Sequence, residues 1–333
     1  AAKAVAQKAG ADLVPQFDAT ARGQRQGGSG QSGDAQQFQL GLEASYEIDL
    51  WGRISSLSQA EEYRAKATWR DYQTAALTLA AEMAKVWYQR IEAEKQLKLA
   101  REQLESNKNI LNILESRFGN GLIRSTDILR QRQLVESSRE QVVRAELETK
   151  LLSHQLAVLQ GRPPKEATLP QKVDLASVPE HPKTGIPAKL VRRRPDVKSA
   201  WLRVQATNQE VAAAISNRYP RLNLTGSTIT QGESTGLLFN DWINSVAGSL
   251  ILPLIDGGQR VAEVARSRAV EKRRVHEYAQ TVLEAFREVE DALVRESKRR
   301  EQMESLQKQV EITEQTYESL RREYFNGVSD YTA

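Results

Sequence analysis

The chain has 333 residues, 40% of them hydrophobic, and a formal net charge of +4 from 47 basic and 43 acidic residues. Because charges of both signs are interleaved, this small excess is a weak indication of nucleic-acid or anionic-membrane binding. The absence of cysteine excludes disulfides, thiolate metal ligands and thiol nucleophiles. The scarcity of aromatic residues favours long helices over a thick core. No run of about 18 apolar residues could cross a bilayer as a helix.

The sequence states nearly the same pattern twice. Three pairs of landmarks, separated by 205, 205 and 206 positions, keep the spacing: Pro15 and Pro220, Gly52 and Gly257, and Gly121 and Gly327. A separation this constant predicts a tandem duplication of one architectural unit. Each copy is expected to hold a helix, a strand pair and a long helix. The first copy begins late in its helix and the second stops soon after its last landmark, so we expect a fragment or a trimmed chain.

The first strand pair is predicted from a strict alternation over Phe38 to Leu50. Apolar side chains fall on one face, and Glu43, Glu47 and Asp49 are among the polar residues of the other, so they are candidate lumen residues if the strands surround a pore. A strand of about 9 to 11 residues with this alternation would cross a bilayer within a barrel. A half-buried hairpin of a soluble protein fits the alternation equally well.

The partner strand is predicted at Val14 to Ala21, joined by a loop over Arg22 to Gln37. Within that loop, Gly28 to Gly33 fits the letters of a GxGxxG dinucleotide motif. Such a site needs a strand before it and a helix immediately after it, whereas here strands lie on both sides. We therefore interpret the segment as a hairpin loop. In the second copy, noisier alternation predicts strands near residues 222–226 and 246–254.

Four strands cannot close a barrel in lipid, because an open edge would leave backbone groups without hydrogen bonds. The membrane interpretation therefore requires several copies of the chain. Two copies would supply eight strands and three would supply twelve, and only the larger number leaves room for a channel.

Long helices are predicted from Arg53 to Phe118 and from Arg260 to Phe325, since neither segment contains glycine or proline. A turn over Phe118 to Thr126 precedes a return helix that reaches Gln160, and Ser125 or Thr126 could cap that helix. These segments predict antiparallel helical hairpins. A solid coiled-coil bundle would show the same pattern.

The segment from Gly161 to Pro195 holds seven prolines and is predicted to be a linker with short irregular elements. It ends at Arg192 to Asp196. Taken alone, Arg192, Arg193 and Arg194 resemble a nucleic-acid patch. We instead interpret Pro195 as part of the first turn of a helix, with Asp196 near the positive end of that helix.

Residues with catalytic or metal-binding chemistry are scattered. His154, His181 and His276 have no second ligand at a suitable spacing. The adjacent acids Glu288, Glu290 and Asp291 diverge around a helix and are interpreted as a solvated face. The sequence therefore predicts no enzyme, no metal and no cofactor.

Four separated motifs then carry a resemblance to a known family. They are Tyr46 to Arg53, Arg193 to Val197, Tyr219 to Gly226 and Pro253 to Gly258. Together they resemble, in order and spacing, the TolC-type outer-membrane efflux channels, and specifically the OprM or NodT branch of lipoprotein factors. The resemblance covers the whole chain.

The resemblance implies a mixed α and β membrane protein of the cell outer membrane that extends into the periplasm. Three protomers would each give four strands to a shared transmembrane β-barrel, and long antiparallel helical hairpins would form a periplasmic α-barrel. Such a passive conduit expels drugs or other toxic compounds together with a periplasmic adaptor and an inner-membrane transporter. Its partners would thus be two further copies of itself, these two proteins and outer-membrane lipid, without nucleic acid.

Combined with this resemblance, the patterns divide the chain into seven segments. They are residues 1–13, the end of a helix; 14–50, a β-hairpin of the barrel; 53–160, a long helical hairpin; 161–194, an equatorial linker; 195–219, the helix of the second repeat; 220–254, its β-hairpin; and 257–333, its long helix, which is incomplete.

The resemblance also implies a periplasmic gate at the tips of the helical hairpins. The residues that match it are Asp127, with the nearby cations Arg117 and Arg124, in the first copy, and Tyr324 and Asp330 in the second. Some members have an arginine where this chain has Ser329, so that contact is not expected here. The two aspartates would narrow the pore and favour cations. Alternatively, both aspartates only cap helices.

Family members carry a lipidated cysteine at the mature amino terminus, and this sequence shows none, so lipid anchoring is not inferred. An alternative to the channel is a soluble coiled-coil scaffold, which predicts an oligomer without detergent and without conductance.

Overall fold

The computed structural model describes residues 1–26, 35–166, 175 and 187–325. The chain divides into two compact units. The first comprises Ala1–Asp71 and Thr184–Ala333, and the second comprises Tyr72–Lys183. Six helices and four strands lie in the described part. In chain order they are α1 (Ala2–Ala11), β1 (Gln16–Gln26), β2 (Ala35–Ile48), α2 (Arg53–Gly119), α3 (Ser125–Leu159), α4 (Pro187–Arg193), α5 (Pro195–Ser216), β3 (Arg221–Gly232), β4 (Trp242–Ile251) and α6 (Gln259–Phe325).

The first unit contains one four-stranded sheet in the order β1-β2-β3-β4. Every neighbouring pair is antiparallel. The central pairing, β2 with β3, joins the strand pairs that the sequence assigns to different copies, with Leu42 opposite Thr228. The protein is thus mostly helical with one antiparallel sheet, as expected.

Several predicted strand ends are wrong. β1 continues to Gln26 and β2 begins at Ala35, so half of the predicted loop over residues 22–37 is paired strand. The GxGxxG segment lies outside the described residues. At the other end, β2 stops at Ile48 because Asp49 and Leu50 turn the chain into α2. In the second copy, β4 ends at Ile251 rather than at Leu254.

The helices of the first unit pack around a small apolar core. Val191 of α4, Val197 of α5 and Ala285 of α6 are buried together. The predicted start of α5 is confirmed, because Pro195 is its first residue and Asp196 Oδ1 accepts a hydrogen bond from the Val197 amide at 2.9 Å. These contacts hold α4, α5 and α6 together within this unit.

The N-terminal part of α2 also packs on α5 within the first unit. The Ser199 hydroxyl donates to the Ala67 carbonyl at 3.2 Å and to Asp71 Oδ1 at 2.6 Å. Arg203 Nη2 lies 2.5 Å from Asp71 Oδ2. Arg64 forms a further ion pair with Glu210. Polar contacts therefore fix the register of these two helices.

The second unit holds the rest of α2 and all of α3, and the contacts show that the two helices are antiparallel. Arg101 pairs with Glu146 at 2.7 Å, and Arg132 pairs with Glu115 at 2.9 Å. Between these levels the buried Ser138 Oγ accepts a hydrogen bond from Asn107 Nδ2 at 2.7 Å. An apolar cluster lies near the other end of α3. Its members are Val86, Ala93, Leu152 and Leu156.

Of the predicted linker, the structure describes a short 3₁₀ turn at Pro164–Glu166, Leu175 and the helix α4. Among the described residues, no helix combines the length and the apolar character that a membrane crossing requires.

Candidate functional site: a two-faced sheet and its junctions with the helices

The register of the sheet gathers apolar side chains on one face, which we call the apolar face. Residues directly opposite each other in an antiparallel pair point to the same side. Its apolar members are Phe17, Ala19, Ala21, Phe38, Leu40, Leu42, Ala44, Tyr46, Ile48, Leu222, Leu224, Trp242, Val246 and Leu250. Leu42 is 57% exposed and Val246 is 90% exposed. The described residues therefore leave most of this face uncovered, which is typical of a surface that contacts lipid or protein.

Three polar residues interrupt the apolar face: Thr228, Thr230 and Asn244. Thr230 is fully buried, and its hydroxyl donates a hydrogen bond to the Leu238 carbonyl in the connection between β3 and β4. Its polar group is therefore satisfied within the chain.

The opposite side, which we call the polar face, carries the predicted lumen residues Glu43 and Glu47. Asp18 lies directly opposite Glu43, and Ser227 Oγ lies 2.7 Å from Ser245 Oγ. The polar face also includes the apolar pair Ile229 and Ile243, close to the connection between β3 and β4.

Aromatic side chains lie at both ends of the sheet. At the helix end, the rings of Trp51 and Tyr219 stack with centroids 4.9 Å apart. Trp51 Nε1 donates to the Pro220 carbonyl at 2.9 Å, which ties the end of β2 to the start of β3. At the other end, Phe239 and Trp242 have ring centroids 6.5 Å apart. An apolar band between two aromatic levels matches the outer surface of strands that cross a bilayer.

The comparison with known families decides the identity. The family described as outer membrane efflux protein matches residues 1–162 and 186–333. The chain belongs to this family. The efflux protein is therefore located in the outer membrane, extends into the periplasm and takes part in efflux.

The sequences of relatives align with the efflux protein along nearly its whole length. The pyoverdine export outer membrane protein OpmQ of Pseudomonas aeruginosa is 28% identical over 344 aligned residues, which cover 100% of this chain and 71% of that protein. Outer membrane protein OprJ of the same species is 29% identical over 338 residues, or 96% of this chain and 69% of that protein.

Solved structures agree as well. A membrane protein from Pseudomonas aeruginosa has a TM-score of 0.91 at 28% identity, covering 99% of this chain and 79% of that chain. The MtrE outer membrane channel of Neisseria gonorrhoeae has a TM-score of 0.88 at 25% identity, covering 98% of this chain and 75% of that chain.

The first junction between sheet and helix explains where β2 ends in the efflux protein. Asp49 accepts hydrogen bonds from the Ile54 amide at 3.0 Å and the Ser55 amide at 2.8 Å, so it caps the N-terminus of α2. Burial would raise the pKa of the Asp49 carboxyl, but these hydrogen bonds outweigh it and hold the pKa below its usual value. Arg53 forms two hydrogen bonds with Glu47, at 3.1 and 2.8 Å. Both carboxylates thus stabilise the junction, and placing Asp49 within the strand is wrong.

The second junction uses Asp256 in the same way before α6. Its carboxylate accepts hydrogen bonds from the Gly258 amide at 3.0 Å, the Arg260 amide at 3.3 Å and Arg260 Nη1 at 3.1 Å. Burial raises the pKa of the Asp256 carboxyl, but the hydrogen bonds lower it by more, so the pKa lies below its usual value. Gly257 and Gly258 have φ of +61° and +85°, a conformation that glycine adopts without strain. The capping role of Asp256 was not predicted, although an acid followed by glycine before a long helix is a signal for it in the sequence.

The tip of the hairpin between α2 and α3 contains three of the predicted gate residues, Arg117, Arg124 and Asp127. Gly121 has φ of +74°, and its amide donates to the Phe118 carbonyl at 2.8 Å. Arg117 lies in the last turn of α2, and its carbonyl accepts the Leu122 amide at 3.1 Å. Arg124 is the N-cap of α3, so capping by Ser125 or Thr126 is wrong.

Asp127 stabilises the same tip, because its Oδ2 accepts a hydrogen bond from the Arg124 amide at 3.2 Å. This hydrogen bond is the capping contact that the alternative to a gate predicts. Tyr324 belongs to the last turn of α6, and the structure does not describe its side chain. Asp330 lies outside the described residues.

The described residues contain no group of three or more His, Asp or Glu side chains that could hold a metal ion. Of the three adjacent acids on α6, Glu288 forms an ion pair, since its Oε2 lies 2.7 Å from Arg194 Nη2. Glu288, Glu290 and Asp291 are all exposed, so the interpretation of these acids as a solvated face is confirmed.

Proposed function

We propose that the efflux protein is the trimeric outer-membrane channel of a tripartite pump. It acts as a passive conduit that exports drugs or other toxic compounds across the periplasm and the outer membrane. Its partners are a periplasmic adaptor and an inner-membrane transporter, and it performs no catalysis. The observation that carries this proposal is a sheet with an uncovered apolar face and a polar face on the same four strands.

The length of the strands supports a crossing of the bilayer. The four strands have 11, 14, 12 and 10 residues, and about 9 to 11 are needed. β1 and β4 are the edges of the sheet. In hydrocarbon, an unpaired edge costs several kcal/mol for each unsatisfied group, so β4 of one copy must pair with β1 of the next. Three copies give a barrel of twelve strands, wide enough for an aqueous channel.

We also propose that the two halves of the chain arose by tandem duplication. Each half has the order helix, strand, strand, long helix: α1, β1, β2 and α2, then α5, β3, β4 and α6. A long helix follows the strand pair in both halves, which supports a common origin.

Within this arrangement, residues 14–50 and 220–254 supply the barrel strands, and residues 53–160 and 257–333 supply the periplasmic helices. Residues 161–194 form the equatorial linker, and residues 1–13 and 195–219 are the corresponding helices of the two repeats.

For the sites, we propose that Glu43 faces the lumen and contributes to ion selectivity. Glu47 and Asp49 would border the lumen at the helix end, although their hydrogen bonds to α2 are their main role. We further propose a periplasmic gate formed by Asp127 and Asp330. Arg117, Arg124 and Tyr324 lie near the same tips in sequence.

The test is reconstitution of the purified protein into a planar bilayer, combined with counting of subunits in single complexes. The conduit predicts discrete conductance steps from a complex of three chains. A coiled-coil scaffold predicts an oligomer that is soluble without detergent and carries no current, and that result would refute the proposal.

A further inference from the structure

The edge strands β1 and β4 are the surfaces on which further copies of the chain would pair. On β1 the apolar face holds odd-numbered residues such as Phe17, and on β4 it holds even-numbered residues such as Leu250. Opposite residues of an antiparallel pair point to the same side, so a slip by one residue would set Leu250 against a polar-face residue such as Asp18. The two faces therefore allow only every second register.

The sheet itself shows how far its strands slip past one another. One row of directly opposite residues crosses all four strands: Gln16, Ser45, Thr225 and Ala247. At the helix end, β1 stops at this row, whereas β4 continues four residues beyond it, to Ile251. At the opposite end, β1 continues ten residues beyond the row, to Gln26, and β4 continues only five, to Trp242. Over three pairings, the strand ends have thus slipped by four to five residues towards the helix end.

Closure of the barrel adds a fourth pairing, from β4 to β1 of the next copy. In proportion, four pairings give a slip of about five to seven residues, since a barrel staggers its strands by a fixed amount. Matching faces allow only an even number, so the slip is six residues, which sets Ala247 opposite Arg22 instead of Gln16. Over twelve strands this corresponds to a tilt of about 47°, with about 3.4 Å per residue and about 4.8 Å between strands. Slips of four and eight residues would give tilts of about 35° and 55°, both further from the roughly 45° of strands that cross a bilayer.

We propose that β4 of one copy pairs with β1 of the next in this single register, an inference that rests on the proposed trimeric barrel. On the apolar face, Leu250 then lies opposite the small Ala19 of the next copy. Asn244, which interrupts the apolar face, lies opposite Arg25 of the next copy, so two polar residues share one level near the end of the sheet. On the polar face, Ser249 lies opposite Thr20 of the next copy, and cross-strand pairs of hydroxyl residues stabilise a sheet.

The same register covers an apolar residue that follows β4. Within one chain β4 ends at Ile251, whose partner Arg221 is the first residue of β3. Leu252 is 50% exposed, and in this register it lies opposite Phe17 of the next copy, which is 77% exposed. Both side chains belong to the apolar face by alternation, so each covers the other. β4 is therefore expected to lengthen when the barrel closes.

Disulfide cross-linking measures this register, because the chain has no cysteine of its own. Within one chain, β2 and β3 separate β1 from β4, so a disulfide between these edge strands must join two chains. Thr20→Cys is combined in turn with Ala247→Cys, Ser249→Cys and Ile251→Cys. A partner two residues away from the opposite position lies at a Cα distance of about 8 Å, beyond the roughly 7 Å that a disulfide spans.

A second set of variants repeats the scan on the apolar face. Ala21→Cys is combined with Val246→Cys, Gly248→Cys and Leu250→Cys. Hydrogen-bonded and non-hydrogen-bonded pairs alternate along an antiparallel ladder, so one of the two sets consists of the closer, non-hydrogen-bonded pairs. Each reduced variant of the full chain is first checked for conductance, so that only assembled protein is scored.

Mild oxidation should give several-fold more covalent dimer and trimer from the Thr20→Cys, Ser249→Cys and Ala21→Cys, Gly248→Cys variants than from the other four. Most efficient cross-linking by another combination would overturn the register while leaving the barrel intact. If no combination cross-linked although the reduced protein formed conducting trimers, the contact between β4 and β1 would itself be wrong. A lack of trimers and of current in the unmodified chain would instead refute the proposed function.

Discussion

Replacing Leu42 with arginine would place a charge near the centre of the apolar face. Leu42 is the eighth of the 14 residues of β2, with Ala19 and Thr228 opposite on its two sides. Neither neighbour carries a negative charge that could form an ion pair with a guanidinium. An arginine on the lipid face of a barrel costs about 2 to 4 kcal/mol near the bilayer midplane. The folding equilibrium of each protomer should therefore fall by a factor between about 30 and several hundred.

The assay is reversible unfolding by denaturant in lipid vesicles, followed by tryptophan fluorescence. Glu43→Arg is the matched control, because it introduces the same side chain one residue later on the polar face, directly opposite Asp18. We expect little loss of stability for the control, since an acid then faces a base across the strands, together with a shift of ion selectivity towards anions. Equal destabilisation by the two arginines, or none by Leu42→Arg, would show that the two faces are assigned wrongly.

Three further substitutions test the helix ends and the hairpin. Asp49→Ala removes the cap of α2 and should lower the free energy of unfolding by about 0.5 to 2 kcal/mol at pH 7. Because the folded state lowers the pKa of Asp49 from its usual 3.8, the charged cap stabilises above that value and its effect is lost as pH falls through the folded pKa; denaturant titrations at pH 7 and pH 2 should show the difference from the unmodified chain shrinking. Ser138→Ala leaves Asn107 without its buried acceptor and should cost about 1 to 3 kcal/mol, whereas Ser137→Ala, on the exposed side of α3, should be neutral in thermal unfolding. Asp127→Ala should raise single-channel conductance if the residue narrows the pore, and unchanged current with a lower melting temperature would leave only its capping role.

The sequence by itself determined the types of the main elements. Strict alternation identified β2 and its two faces, because side chains of a strand point to opposite sides with a period of two. Two long stretches without glycine or proline identified α2 and α6, because only those residues interrupt a helix strongly. Pro195 and Asp196 likewise predicted the start of α5, since both residues stabilise a helix through contacts within its first turn.

The tertiary structure decided what depends on partners distant in the chain. The pairing of β2 with β3 joins residues about 190 positions apart, and no local period specifies that register. The end of β2 was predicted too late in the chain because Asp49 continues the alternation of polar and apolar residues. In the structure its carboxylate instead accepts hydrogen bonds from backbone amides of α2. The period of a strand or helix can be predicted from the sequence, whereas the choice among competing polar partners depends on how the helices and strands pack.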